Sequence, residues 1–181
     1  MSRYKKWAQK ERPEAVRIAA MLLAGVVFLF LIPYVIIVLC PKWDQQLGLP
    51  GFAFGAASYL LGGLMLVVGM FFGLWSNAMQ LTLGRGTPLP MLPTQVLLIR
   101  GPYRYCRNPM TFGAILAYLG LGVIVGTVTG MILVLCFGAV LVFYLKRFEE
   151  RELAERFGEP YLQYKRAVPF MIPRRPKSGG Q

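Results

Sequence analysis

Charged residues divide this chain into blocks. No Asp, Glu, Lys or Arg occurs between Arg17 and Lys42, between Asp44 and Arg85, or between Arg107 and Lys146. Each gap contains at least one apolar run of roughly 20 residues, enough for a helix to cross about 30 Å of hydrocarbon. The third gap has room for two crossings, with Gly126-Thr127-Val128-Thr129-Gly130 as the turn between them. The pattern predicts four spanning helices at about 17–40, 52–75, 110–126 and 129–147. Backbone groups in lipid must close their hydrogen bonds internally, and the alternation that a membrane barrel needs is absent. The fold class is therefore all-α: an integral membrane helical bundle. From Lys146 to Ala167 the pattern changes. Phe148, Leu153, Phe157, Tyr161 and Tyr164 recur among charges at spacings that place them on one helix face. This predicts an amphipathic C-terminal helix continuing from the fourth span, with Gly158 and Pro160 interrupting it.

Local signals refine the boundaries. Residues 1–16 form a basic tail, with Trp7 as an interfacial anchor and Pro13 starting the first helix. Pro33 lies inside that helix and is expected to kink it. The first apolar run is too long for a signal-peptide core and lacks a small-x-small cleavage site before Lys42, so it reads as a retained span. Pro41 to Gly51 forms a short outer loop. The second span carries Gly55, Ala56, Ala57, Gly62, Gly63, Gly69 and Gly73, which let a neighbouring helix approach closely. Ser76 to Leu83 extends that helix. Gly84 to Pro93, with three prolines and two glycines, cannot be a regular helix and reads as a connector. Gln95 to Ile99 is a short apolar stretch, and residues 174–181 are a basic, disordered tail.

Composition agrees with a membrane protein: 56% of the 181 residues are hydrophobic and 15% are charged. The net charge of +12 suggests nucleic acid only if its distribution is ignored. Of the 20 Lys and Arg, Lys42 alone falls between the first two spans. The rest lie in three regions that four crossings put on one side, as the positive-inside rule requires of the cytoplasm. Topology and attraction to anionic membrane lipids account for the charge, and nucleic acid is not an expected partner. Cys40, Cys106 and Cys136 lie on separate elements and the chain has no histidine, so neither a zinc site nor a stabilising disulfide is expected.

Candidate chemistry sits where two charged clusters flank the hairpin of the last two spans. The first runs from Gly101 to Gly113: Gly-Pro-Tyr-Arg-Tyr-Cys-Arg-Asn-Pro-Met-Thr-Phe-Gly. Asn108 is a favourable N-cap and Pro109 suits the first helical position. The helix N-terminus, Arg104 and Arg107 would together favour an anion, and Tyr103 and Tyr105 add aromatic faces. Taken alone, the arginines are equally suited to binding headgroups. The second cluster is Glu149-Glu150 followed by Phe157-Gly158 and by Tyr161 and Tyr164. Taken alone, its two carboxylates read as a solvated helix end paired with Lys146 or Arg151.

Together the clusters resemble the isoprenylcysteine carboxyl methyltransferase and phospholipid methyltransferase family of membrane enzymes. The signature of that family reads Gly-x-Tyr-x-x-x-Arg-His-Pro-x-Tyr-x-Gly, then Glu-Glu, then Phe-Gly-x-x-Tyr-x-x-Tyr. The resemblance covers Gly84 to Pro173, making 76–173 a methyltransferase-like region behind the two N-terminal spans of 17–75. It departs from the signature at Asn108, which stands for His, and at Thr111, which stands for Tyr. Asn108 still donates and accepts hydrogen bonds but cannot titrate near neutral pH.

The resemblance implies S-adenosylmethionine as cofactor. It assigns Tyr103, Arg104, Arg107, Asn108, Pro109, Met110, Thr111 and Glu149 to cofactor contact, and Gln95, Val96, Leu97 and Leu98 to a preceding lining segment. Arg147 corresponds to a substrate-orienting arginine, and Glu150 is a second catalytic candidate. The acceptor implied is a hydrophobic or lipid-linked molecule entering from the bilayer, with both termini and the site cytoplasmic. A carboxylate acceptor is already ionised at pH 7, whereas an amine must first lose a proton. Without histidine, a carboxylate is the favoured acceptor. The alternatives are a phospholipid N-methyltransferase and a non-catalytic scaffold that retains the fold.

Overall fold

The computed structural model describes residues 19, 22–23, 25–52, 54–82 and 96–175. The N-terminal tail, the Gly84–Pro93 connector, Gln95 and the end of the basic tail lie outside the described residues. Among the described residues there is no strand. Three helices are long and apolar enough to cross a membrane: α1 (Val27–Gln46), α2 (Ala56–Thr82) and α4 (Val128–Phe157). A fourth apolar helix, α3 (Pro109–Val125), has 17 residues, at the short end of what spans a bilayer. The short helix α5 (Glu159–Ala167) completes the chain. This is the helical membrane bundle that the charge gaps predict.

The boundaries differ from the sequence expectation where packing or capping outweighs the hydropathy pattern. α1 does not stop near residue 40 but continues to Gln46, so the outer loop begins later. Around Pro33, which has no N–H to donate, the winding widens on both sides. The Ile32 N–H reaches Val27 O and the Cys40 N–H reaches Val35 O, relieving the ladder that proline interrupts. The helix closes after Trp43 and Asp44, whose carbonyls accept from the N–H groups of Leu47 and Leu49, with Gly48 at φ 63°. α2 runs past residue 75 to Thr82, bringing Gln80 toward the charged end of the bundle.

α2 and α3 pack antiparallel along a seam of small residues. A Cβ on Gly62 would sit 2.6 Å from Gly120 O, and one on Gly69 would sit 2.6 Å from Gly113 O. These backbone contacts leave no room for a methyl group, which is the physical reason that glycine occupies the seam. Gly63, one position off it, faces open space. α1 lies against α3 and α4, and the Tyr118 hydroxyl donates to Phe28 O at 2.7 Å. The large apolar side chains exposed on α1, α2 and α4, such as Phe30, Leu60, Leu64 and Val140, form the surface expected to face lipid tails.

A single buried carboxylate organises the far end of the hairpin. Gly126 turns the chain at φ 74°, and Asp44 of α1 reaches the start of α4 immediately after it. Asp44 accepts from the Thr127 hydroxyl at 2.6 Å, the Val128 N–H at 3.1 Å, the Thr129 N–H at 2.8 Å and the Thr129 hydroxyl. The Thr127 hydroxyl oxygen in turn accepts from the Gly130 N–H, making Thr127 the N-cap of α4.

At 30 residues, α4 is about 45 Å long, well beyond the roughly 30 Å of hydrocarbon. Its last turns, beginning at Lys146, therefore stand outside the spanning segment. The helix widens there into a π turn over Leu145–Glu149, with the Glu150 N–H bonded to Leu145 O. It ends at Gly158, φ 61° and ψ −136°, a backbone region that essentially only glycine adopts. This is the interruption anticipated before α5.

Candidate active site at the charged end of the bundle

The segment before α3 is held on three sides. Gly101, at φ 59°, opens a short 3₁₀ turn over Gly101–Arg104 that buries Pro102 and Tyr103. The Tyr103 hydroxyl accepts from Gln80 Nε2 of α2 at 2.7 Å, and the Tyr103 carbonyl accepts from the Tyr164 hydroxyl of α5 at 2.8 Å. The strap after α5 supplies the third side. Arg107 N–H donates to Pro169 O at 2.9 Å, Asn108 N–H to Phe170 O at 3.2 Å, and Arg174 N–H to Tyr105 O at 2.9 Å.

Asn108 therefore does not cap α3 with its side chain. Its Nδ2 donates to Phe170 O at 3.0 Å instead. Asn108 still occupies the N-cap position and α3 starts at Pro109, as the sequence predicts; what differs is that its side-chain amide serves a carbonyl 62 residues away, a partner that no local rule includes.

Across the cavity, Glu149 and Glu150 have different surroundings. Glu150 is buried and ion-paired to Arg107, with Lys165 of α5 also bound at 2.7 Å. The partners expected from the sequence, Lys146 or Arg151, are not the ones found: Arg151 pairs with Glu155, and Lys146 lies over the Phe170 ring at 4.9 Å. Glu149 lines the cavity and has no hydrogen-bond or ion-pair partner among the described residues. Withdrawal from water pushes its carboxyl up to about 7, with the neighbouring Glu152 and Glu150 carboxylates adding to the shift.

Burial and the Glu150 charge push the Tyr161 phenol up to about 12, and burial raises Tyr103 and Tyr164 as well. At neutral pH these three tyrosines are uncharged hydrogen-bonding groups. Burial likewise lifts the Cys106 thiol to about 11, so it is no thiolate nucleophile.

The cavity draws on every element at this end. α2 contributes Gln80, and the segment before α3 contributes Leu97, Leu98, Tyr103, Arg107 and Asn108. α4 contributes Leu145, Glu149, Glu150 and Leu153, and α5 contributes Tyr161 and Tyr164. Seven of the residues singled out from sequence therefore meet here: Leu97, Leu98, Tyr103, Arg107, Asn108, Glu149 and Glu150. Arg104, Arg147 and Val96 are exposed and lie outside the lining. Pro109 is buried at the start of α3, and Met110 and Thr111 are half-buried along it, also outside the lining. Gln95 lies outside the described residues.

The lining also includes Gln80, Leu145, Leu153, Tyr161 and Tyr164, to which sequence reasoning gave no site role. The regular spacing of Tyr161 and Tyr164 was a usable signal for an inward face. For Gln80 no signal existed beyond a polar residue in an uncharged helix extension. Its Oε1 has no hydrogen-bond partner among the described residues.

Arg107 and Glu150 are engaged with each other, and Lys165 binds the same carboxylate from outside the lining, so Glu149 is the cavity's one carboxyl without an ion-pair partner among the described residues. Neutral hydrogen-bonding groups and apolar walls surround it. No curated protein matches the chain as a relative. A family model described as phospholipid methyltransferase matches residues 57–160, more than half of the chain, from the first turns of α2 to the start of α5. The matched stretch carries almost the whole cavity, and the chain belongs to the phospholipid methyltransferase family of membrane methyltransferases.

Proposed function

We propose that the protein transfers a methyl group from S-adenosylmethionine to a lipid-borne or hydrophobic acceptor that reaches the cavity from the bilayer. The observation that carries this reading is Glu149, a carboxyl with no partner among the described residues, on a cavity lined by three neutral tyrosines. The residues present fit the cofactor: Glu149 suits its ammonium group, Asn108 and the Gln80 oxygen, which has no partner among the described residues, suit ribose hydroxyls, and Leu97, Leu98 and the tyrosines suit adenine. Once bound, the cofactor supplies a methyl group activated by a cationic sulfur. The chain's own residues bind and orient the reactants and exclude water, which is the main catalytic demand of an in-line displacement.

A carboxylate acceptor needs no base and so suits a chain without histidine. A second reading, methylation of a phospholipid amine, is favoured by one specific observation. A carboxyl near 7 at Glu149 can take the proton that an ammonium headgroup must lose.

Calorimetry in detergent tests cofactor binding. If Glu149 must be ionised to hold the ammonium, binding displaces its proton, and affinity rises as pH increases through the raised pKa. The expected gain is about tenfold between pH 6 and 8, and it should vanish in Glu149→Gln. Absence of cofactor binding at any pH would overturn the proposal. Mass spectrometry of products from a total membrane extract then decides between a methyl ester and an N-methylated lipid.

The charged end is proposed to face the cytoplasm, on the warrant that 19 of the 20 Lys and Arg avoid the Asp44 end. In a background without native thiols, Gln46→Cys should react with an impermeant reagent in intact cells and Ser2→Cys should not. Labelling of Ser2→Cys alone would reverse the orientation.

A further inference from the structure

Glu150, Arg107, Lys165 and the strap that follows α5 form a connected set that the methyl-transfer reading does not use. Glu150 is buried, and its carboxylate is shared between Arg107, on the segment before α3, and Lys165 on α5. Arg107 also lies over the Phe170 ring at 5.6 Å, with Lys146 over the same ring at 4.9 Å. The backbone beside that ring satisfies the chain just ahead of α3, because Pro169 O and Phe170 O accept from Arg107 N–H, Asn108 N–H and Asn108 Nδ2. A buried carboxylate with two cationic partners is costly to strip of either one. The four elements that meet here are thus fastened through one side chain.

We infer that Glu150 is a positioning residue: through Arg107 and Lys165 it latches α5 and the Val168–Arg175 strap onto the loop carrying Tyr103 and Asn108, and so sets the shape of the cofactor cavity. The observation behind this is that both cations on Glu150 belong to elements the latch must join, whereas its neighbour Glu149 is left without a partner among the described residues. Lys165 does not line the cavity, so any effect of its removal on the ligand is indirect. The ligand-dependent part of the inference rests on the proposed cofactor; the latch itself does not.

The test uses the full chain in detergent and the variants Glu150→Gln, Lys165→Met, their double combination and Lys165→Arg. Chymotrypsin cleavage after Phe170, which is half-buried against the loop, reports release of the strap without any ligand. Both single losses of charge should accelerate that cleavage about tenfold or more, the scale of losing a charge-assisted hydrogen bond. The double variant should cleave no faster than Glu150→Gln alone, because the two residues act as one unit. Lys165→Arg keeps the cation and should stay resistant. In steady-state assays the same charge-loss variants should raise KM for S-adenosylmethionine by a similar factor, with kcat within about twofold.

Wild-type cleavage rates in both single variants would overturn the latch, as would effects that multiply in the double variant. Loss of kcat in Glu150→Gln at unchanged KM would overturn it too, making Glu150 a group that acts on the reactants directly. If the unmodified protein bound no S-adenosylmethionine, the functional reading would fail while the cleavage data still decided the latch.

Discussion

Glu149→Ala is expected to reduce methyl transfer at subsaturating S-adenosylmethionine about hundredfold, the upper range for losing a charged hydrogen bond in a site withdrawn from water. The carboxyl lines the cavity, and no competing cation holds it among the described residues. Its removal therefore deletes the proposed ligand contact and breaks no internal pair among the described residues. The variant should fold normally, because a group whose charged form is penalised by burial contributes little to stability at neutral pH. Glu155→Ala is the matched control on the same helix: Glu155 is exposed and pairs with Arg151, away from the cavity lining. Tritiated methyl transfer into a lipid extract measures the effect. Equal activity in Glu149→Ala and the unmodified protein would remove the proposed cofactor site from this cavity.

At the opposite end of α4, Asp44→Ala is expected to destabilise the protein by about 3 kcal/mol, the scale of removing a buried acceptor of charge-assisted bonds. The substitution strands two hydroxyls and two N–H groups at the start of α4. It also removes a negative charge from a helix N-terminus, where such a charge is favourable. Asp44→Asn keeps one acceptor oxygen and should lose roughly half as much. Denaturant unfolding in micelles reads both values, and a loss below about 0.5 kcal/mol in Asp44→Ala would refute the role assigned to this carboxylate. Because the cavity is at the other end of α4, the folded variant should bind the cofactor with wild-type affinity.

The sequence alone was sufficient for the membrane bundle. Three uncharged gaps of membrane length are a direct statement about transfer into hydrocarbon, and no tertiary contact can make that pattern soluble. Several turns were equally legible. Gly126 and Gly158 adopt backbone angles disfavoured for other residues, and two glycines of the second span, Gly62 and Gly69, lie in the seam between helices. The two charged motifs brought seven of the lining residues into view because their order and spacing fit a hairpin that returns to one side.

What the sequence left open depended on partners distant along the chain. Asn108 stands at the N-cap position that its neighbourhood predicts, but its side-chain amide donates to Phe170 O and makes no capping bond. Glu149 and Glu150 are adjacent and chemically identical, so nothing local separates them. Only the π turn over Leu145–Glu149 within α4 and the arrival of Arg107 and Lys165 make one a buried ion-pair centre and the other a carboxyl facing the cavity. Asp44 looks like an ordinary loop carboxylate until α1 extends past the predicted boundary and meets the α3–α4 turn. Hydropathy reports which segments leave water, and for this chain that settled the bundle. Which polar group each buried charge finds is decided by how the helices dock, because a charge withdrawn from water is governed by neighbours within a few ångströms, whatever their distance in sequence.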